Sequence, residues 1–276
     1  MTRTFRAHSR PSWMFFTLGV VFSLMTLQAQ ALTKDEASNA LNNIYRATIN
    51  SYYSVNGFYN FSANQADQSQ LAQIKESIGI IDESVANLEI TLAEGANAET
   101  FASVADSWTA YRKVLEANIN EVVETGYPDL RLAGDMASTN INLNNALQGL
   151  YTSVMSTSGF TPADIIQTSR DAASTIALMM TKYSARSTST VSQVYTGGDT
   201  DLTIDSLAKE FESKLKSLIG GATGKAEALD LLDAAMTKWD FIKNSYINYN
   251  ENRVNFIVNL YSKKIITDIE GATAAL

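Results

Sequence analysis

Between residues 71 and 92 the apolar positions Leu71, Ile74, Ile78, Ile81, Val85, Leu88 and Leu92 alternate spacings of three and four without a break. That spacing sets all of them on one helical face as a heptad seam. Gln73, Lys75, Glu76, Asp82, Glu83 and Glu89 fill the other faces, and Gly95 supplies a stop. The pattern resumes near Asn97 with Phe101, Val104, Trp108, Tyr111, Leu115 and Val122, where Asn118 falls on the seam. A seam asparagine either fixes register from a buried position or sits at a wet edge.

Punctuation divides the rest of the chain. Thr33-Lys34-Asp35-Glu36 is a capping signal that predicts a first helix over 34–56. Gly126-Tyr127-Pro128 ends the third helix and opens a fourth running to about Met155. Ser156-Thr157-Ser158-Gly159 reads as a linker, and Thr161-Pro162-Ala163-Asp164 as the start of a helix over 162–192. Gly197-Gly198-Asp199 is a turn before a short helix at 203–219, which Gly220-Gly221 closes. The remaining periodicity predicts one last helix over 225–270, roughly 70 Å long at about 1.5 Å per residue. The expected fold is therefore all-α, an elongated antiparallel helical bundle.

A weak internal repeat runs through this pattern. Ile81, Val85 and Leu88 precede Trp108 much as Phe211, Leu215 and Leu218 precede Trp239, offset by one residue. Tyr183-Ser184-Ala185-Arg186 is echoed by Tyr261-Ser262-Lys263-Lys264. Duplication of a helical unit accounts for both, with a first unit at 32–158 and a second at 159–276. Convergence on heptads accounts for the first.

The opening residues follow another logic. Arg3, Arg6 and Arg10 precede the apolar run Trp13 to Leu27, and Ala29-Gln30-Ala31 gives a small-x-small cleavage pattern. Residues 1–31 thus read as a secretory signal. A retained anchor is the alternative, against which the run falls short of the ~20 apolar residues of a membrane span. The expected location is periplasmic or secreted, without stable membrane insertion after cleavage. Removing the signal leaves 18 basic residues against 29 acidic ones, a net charge of −11. This balance disfavours nucleic acid as a partner.

The single histidine, His8, lies in the signal, and the chain has no cysteine. A catalytic triad needs an imidazole, and zinc, haem and di-iron carboxylate sites need His or Cys. No metal or other cofactor is expected, and no enzyme. Apparent motifs fail in detail. Gly220-Gly221-Ala222-Thr223-Gly224-Lys225-Ala226 imitates a phosphate loop, but Ile219 stands where its first glycine belongs and Ala226 where a Ser or Thr must hold magnesium. Ser206-x-x-Lys209 and Ser213-x-x-Lys216 match a serine–lysine nucleophile pair without its companion motifs. Asp199, Asp201 and Asp205 lack the spacing of a calcium loop.

Five residues stand out as ligand-binding candidates. Trp108 and Trp239 are the largest groups on their seams; they pack in a core or line a cleft between helices. Arg46, Arg186 and Arg253 lie in or beside apolar stripes, where a buried guanidinium needs an anionic partner from protein or ligand. The asparagine-rich run from Asn244 to Asn259 either lines a polar cavity or faces water.

In the second half, Ala173-Ser174-Thr175-Ile176-Ala177-Leu178-Met179-Met180 leads to Tyr183-Ser184-Ala185-Arg186, then to Phe211 through Leu218, then to Trp239. This order resembles the PilJ-type domain, the N-terminal sensor domain of type IV pili methyl-accepting chemotaxis transducers. The resemblance covers about 165–270 and more faintly 66–125. It implies a periplasmic helical bundle of sensor type, with two such units in tandem as one arrangement, in a context of chemotaxis or type IV pili. Its relatives among nitrate sensors carry an arginine that Met179-Met180-Thr181-Lys182 lacks, so nitrate binding is not implied. The expected function is non-catalytic binding of a small-molecule ligand or an envelope protein partner, with a homodimer as one possible assembly. A structural protein of the cell envelope or surface is the alternative.

Overall fold

The computed structural model describes residues 32–64, 66–188, 203–248 and 254–276. Eight α-helices and one 3₁₀ turn account for 89% of the described residues, and there are no strands among them. The protein is an all-α helical bundle. In chain order the helices are α1 (Lys34–Ala63), α2 (Gln68–Leu92), α3 (Ala98–Thr125), α4 (Leu130–Ser158), α5 (Asp164–Thr188), α6 (Ile204–Gly221), α7 (Ala226–Ile247) and α8 (Asn255–Ala274).

The helix starts follow local chemistry. Thr33 caps α1 with a full capping box: Glu36 N donates to Thr33 Oγ1, and Thr33 N donates to Glu36 Oε2 at 2.9 Å. Those hydrogen bonds hold the Glu36 carboxyl below its usual range. Asp67, Asp129 and Thr203 cap α2, α4 and α6 through their side chains. Gly126 and Gly159 end α3 and α4 at φ 81° and 64°, the left-handed region where a side chain is strained.

α1 packs on α2 and α4, and α3 on α4 and more lightly on α2. In the same way α5 packs on α6 and α8, and α7 on α8 and α6. Direct contact of α1 with α5 joins the two sets. Each set has its own apolar core. The first is built around Leu41, Ile44, Phe58, Phe61, Ile81, Tyr111 and Leu147. The second is built around Ile176, Phe211, Trp239, Tyr246, Ile265 and Ile269. Cross-membership occurs at the join: Ile49 of α1 belongs to the second core and Ala185 of α5 to the first.

The expected single helix over 225–270 is instead two. α7 ends at Ile247, where Asn248 leaves helical geometry while its N–H still bonds to the Asn244 carbonyl, and α8 packs back along α7. Tyr246 and Ser262 hydroxyls meet at 2.7 Å across this pair. Folding back buries both apolar faces against each other, which one extended helix could not do. α1 runs seven residues beyond the expected end, to Ala63, because Val55 through Phe61 are all buried. α5 begins at Asp164 rather than Pro162. Residues 1–31, Gly197-Gly198-Asp199 with Asp201, and Arg253 lie outside the described residues. No described helix is long and apolar enough to cross a membrane.

Candidate functional site

Where the two sets meet, α1 and α2 of the first face α8 of the second across a cleft of about 380 Å³. Its walls follow from helical spacing. Asn56, Asn60 and Asn64 recur every four residues along α1, and Asn255, Asn259 and Lys263 do the same along α8. Side chains four apart stack on one face, so the cleft is walled by two facing amide rows. Gln70 and Gln73 of α2 complete it, with Ala63, Phe256 and Leu260 as apolar surface.

The inner amides form a closed hydrogen-bond network. Asn56 Nδ2 donates to Ser184 Oγ of α5 and to Asn259 Oδ1, each at 2.7 Å. Asn60 Oδ1 accepts from Asn255 Nδ2 at 2.6 Å and from Asn259 Nδ2 at 3.3 Å. Asn259 Nδ2 also reaches Asn255 Oδ1 at 2.9 Å, and Ser184 Oγ donates to the same oxygen at 2.9 Å. Asn56 and Asn60 are buried. Burying so many amides is tolerable only because they satisfy one another.

Among the described residues Lys263 is the one charged residue lining the cleft. Its Nζ donates to Gln73 Oε1 at 2.7 Å and lies 5.3 Å from the Tyr53 ring centroid. No carboxylate stands within ion-pair distance of it among the described residues. Burial holds its ammonium below the usual lysine range, with Glu76 acting against the shift from farther off. About two turns down α8, Glu270 accepts from the Tyr45 hydroxyl at 2.8 Å, and Arg170 of α5 lies over the Tyr45 ring. Desolvation pushes both Tyr45 and Glu270 up.

Among the described residues, the tryptophans and arginines singled out from the sequence are not brought together. Trp108 is 5% exposed in the first core and Trp239 fully buried in the second, each in contact with a carboxylate of its own set. Arg46 pairs with Glu83 of α2 at 2.9 Å on the surface. Arg186 is half-buried in the last turn of α5, and Arg253 lies outside the described residues. Neither tryptophan lines the cleft, and neither do Arg46 and Arg186.

Other sequence candidates have structural roles. Ser206 sits in the α6 cap, its N–H on Thr203 Oγ1 and its hydroxyl on the Thr203 carbonyl. Lys216 pairs with Glu212. Gly220 and Gly221 form the end of α6, and Ala222 to Lys225 is the turn to α7, with Gly224 at φ 89°. Asn118 is buried and crosses to α4 through the Leu132 carbonyl at 2.9 Å, so it ties α3 to α4 rather than lying at a wet edge. Of the asparagine-rich run, Asn255 and Asn259 line the cavity. The pairing of their spacing with that of Asn56, Asn60 and Asn64 is the signal that would have found the site.

Comparison with protein-family models, with curated proteins and with solved structures finds no match for this chain.

Proposed function

We propose that this protein is a non-catalytic binding protein of sensor type, which takes a small polar molecule in the cleft between its two helical sets. One observation carries this reading: a cavity large enough for a small organic ligand is walled by rows of amides that the fold has gathered from α1, α2 and α8. Stability alone does not call for such a wall, since apolar groups of similar size pack without the desolvation cost. Ligand sites in helical bundles form between facing helices with a few convergent polar groups. Export to the periplasm and a PilJ-type sensor lineage, in chemotaxis or pilus function, belong to the same proposal. So does the origin of the two sets by duplication, which the recurring tryptophan–carboxylate contacts support.

Nitrogen-15 NMR with a library of small neutral, anionic and cationic fragments tests the reading. The expected result is that hits move the side-chain amide signals of Asn60, Asn64, Asn255 and Asn259 together. Hits that cluster elsewhere, or none at all, would overturn it.

A second reading, an envelope interaction or structural protein, draws on exposed Phe241 and Phe256, at 63% and 75% exposure on α7 and α8. Self-association in sedimentation that Phe241→Ser and Phe256→Ser abolish would favour it.

A further inference from the structure

The polar groups of the cleft are unevenly spent. Its inner oxygens are occupied: Asn60 Oδ1, Asn255 Oδ1 and Asn259 Oδ1 accept from neighbouring amides, and Gln73 Oε1 accepts from Lys263. Its donors are not. Lys263 uses one of its three N–H groups on Gln73, and the Gln73 amide nitrogen has no acceptor among the described residues. The acceptors still open, on Asn64 and Gln70, are neutral. Among the described residues the lining contains one positive charge and no negative one, in a chain that is acidic overall.

We infer that the cleft takes a small organic carboxylate, its charged end on Lys263 and Gln73 and its apolar body against Phe256 and Leu260. The inference rests on the cleft being the binding site. A carboxylate brings acceptors and no donor, which matches the open donors of Lys263 and Gln73. Its charge supplies the partner that Lys263 lacks, in a half-buried setting where a charge-assisted hydrogen bond is strong. A saccharide fits less well, because each hydroxyl must donate as well as accept and the inner oxygens are taken. A bare inorganic anion leaves most of the 380 Å³ empty and makes no use of Phe256, which is 75% exposed at the cleft.

Benzoate and benzamide test this directly, since they share shape and differ in charge. Titration calorimetry with both, paired with NMR of the asparagine side chains, should show benzoate binding about ten-fold tighter or more. Lys263→Gln should bring benzoate down to the level of benzamide, while Lys263→Arg keeps the preference. Equal binding of the two probes, or a preference that survives Lys263→Gln, would overturn the carboxylate. If Lys263→Gln fails to fold, a pH series on the wild type replaces it: the preference must fade as Lys263 loses its proton, and a constant preference overturns the inference. A neutral disaccharide that moves the Asn60 and Asn259 amides while benzoate does not would leave the cleft as the site and remove the acid. If no probe moves those amides, both readings fall.

Discussion

The indole N–H of Trp108 donates to Asp82 Oδ1 across 3.0 Å, tying α3 to α2 at the edge of the first core. Arg112, four residues on, grips the same carboxylate through both oxygens at 2.8 Å each. In the second core Trp239 donates to Glu212 Oε2 at 3.3 Å, and Lys243, again four residues on, stands 4.0 Å from that carboxylate. Ile81 precedes Asp82 and Phe211 precedes Glu212, so the repeat in the chain coincides with a repeat in contacts.

These contacts make the tryptophans structural. Trp239→Ala and Trp108→Ala should each cost about 3–5 kcal/mol, through lost burial and the cavity left behind. Urea unfolding with an unchanged slope checks this. Benzoate affinity of whatever remains folded should match the wild type, because neither ring lines the cleft. Impaired binding at unchanged stability would return that tryptophan to the site.

Gly57 of α1 faces α2 so closely that an added Cβ would stand 2.8 Å from Ile74 Cγ1. Alanine ordinarily stabilises a helix by about 0.5–1 kcal/mol over glycine. At Gly57 the crowding should reverse the sign, to a net loss of about 1–2 kcal/mol. Gly79, on α2 with nothing within 4 Å of its Cβ position, should show the ordinary gain on Gly79→Ala. Thermal melts of both variants decide; a stabilised Gly57→Ala would mean that α1 and α2 slide apart at little cost.

Asn56 is 1% exposed and bonds to both Ser184 and Asn259. Asn56→Ala leaves these polar groups facing a gap, at a cost of about 1–3 kcal/mol. The loss should be accompanied by faster hydrogen exchange at the α1–α5 contact, since Ser184 lies on α5. A neutral substitution would show that water replaces the amide without penalty.

Lys263 gives a pH dependence of known sign. Burial lowers its native pKa, so between that value and the ordinary lysine range of about 10.4 the unfolded chain holds more protons. Stability contributed by this site therefore rises with pH across that window, and its cost is present in full below it. Buried tyrosines act oppositely: Tyr52, pushed up to about 12 by burial, withdraws stability as pH climbs past the usual tyrosine range. The measurement is thus a difference. Wild type should gain on Lys263→Gln as pH rises in chemical denaturation, and a constant gap would show that Lys263 is fully solvated.

Much of the fold is legible in periodicity. The seam of α2 is buried at Ile74, Ile78, Ile81, Leu88 and Leu92, while Leu71 and Val85 remain half-buried at its edge. The capping box at Thr33 falls where the sequence puts it. The break between α7 and α8 is only faintly legible: neither glycine nor proline marks it, and the polar run Asn248 to Arg253, interrupted by Tyr249, is its one trace. Only the partner surface across the hairpin decides that the chain turns there. The cleft was half legible. Asn56 and Asn60 look like a solvent face on α1 alone; their burial comes from α5 and α8, more than a hundred residues away.

The exchange at the join has a thermodynamic consequence. Ile49 of α1 completes the core of α5 to α8, where Tyr45, Tyr52 and Tyr53 also pack, and Ala185 of α5 returns the favour. Neither half closes over its own apolar surface once the other is removed. Cutting at Gly159 should therefore yield two fragments that are each loosely ordered and prone to associate, and that recover a sharp transition only when mixed. The intact chain should melt in one calorimetric step, with the van't Hoff enthalpy equal to the measured one.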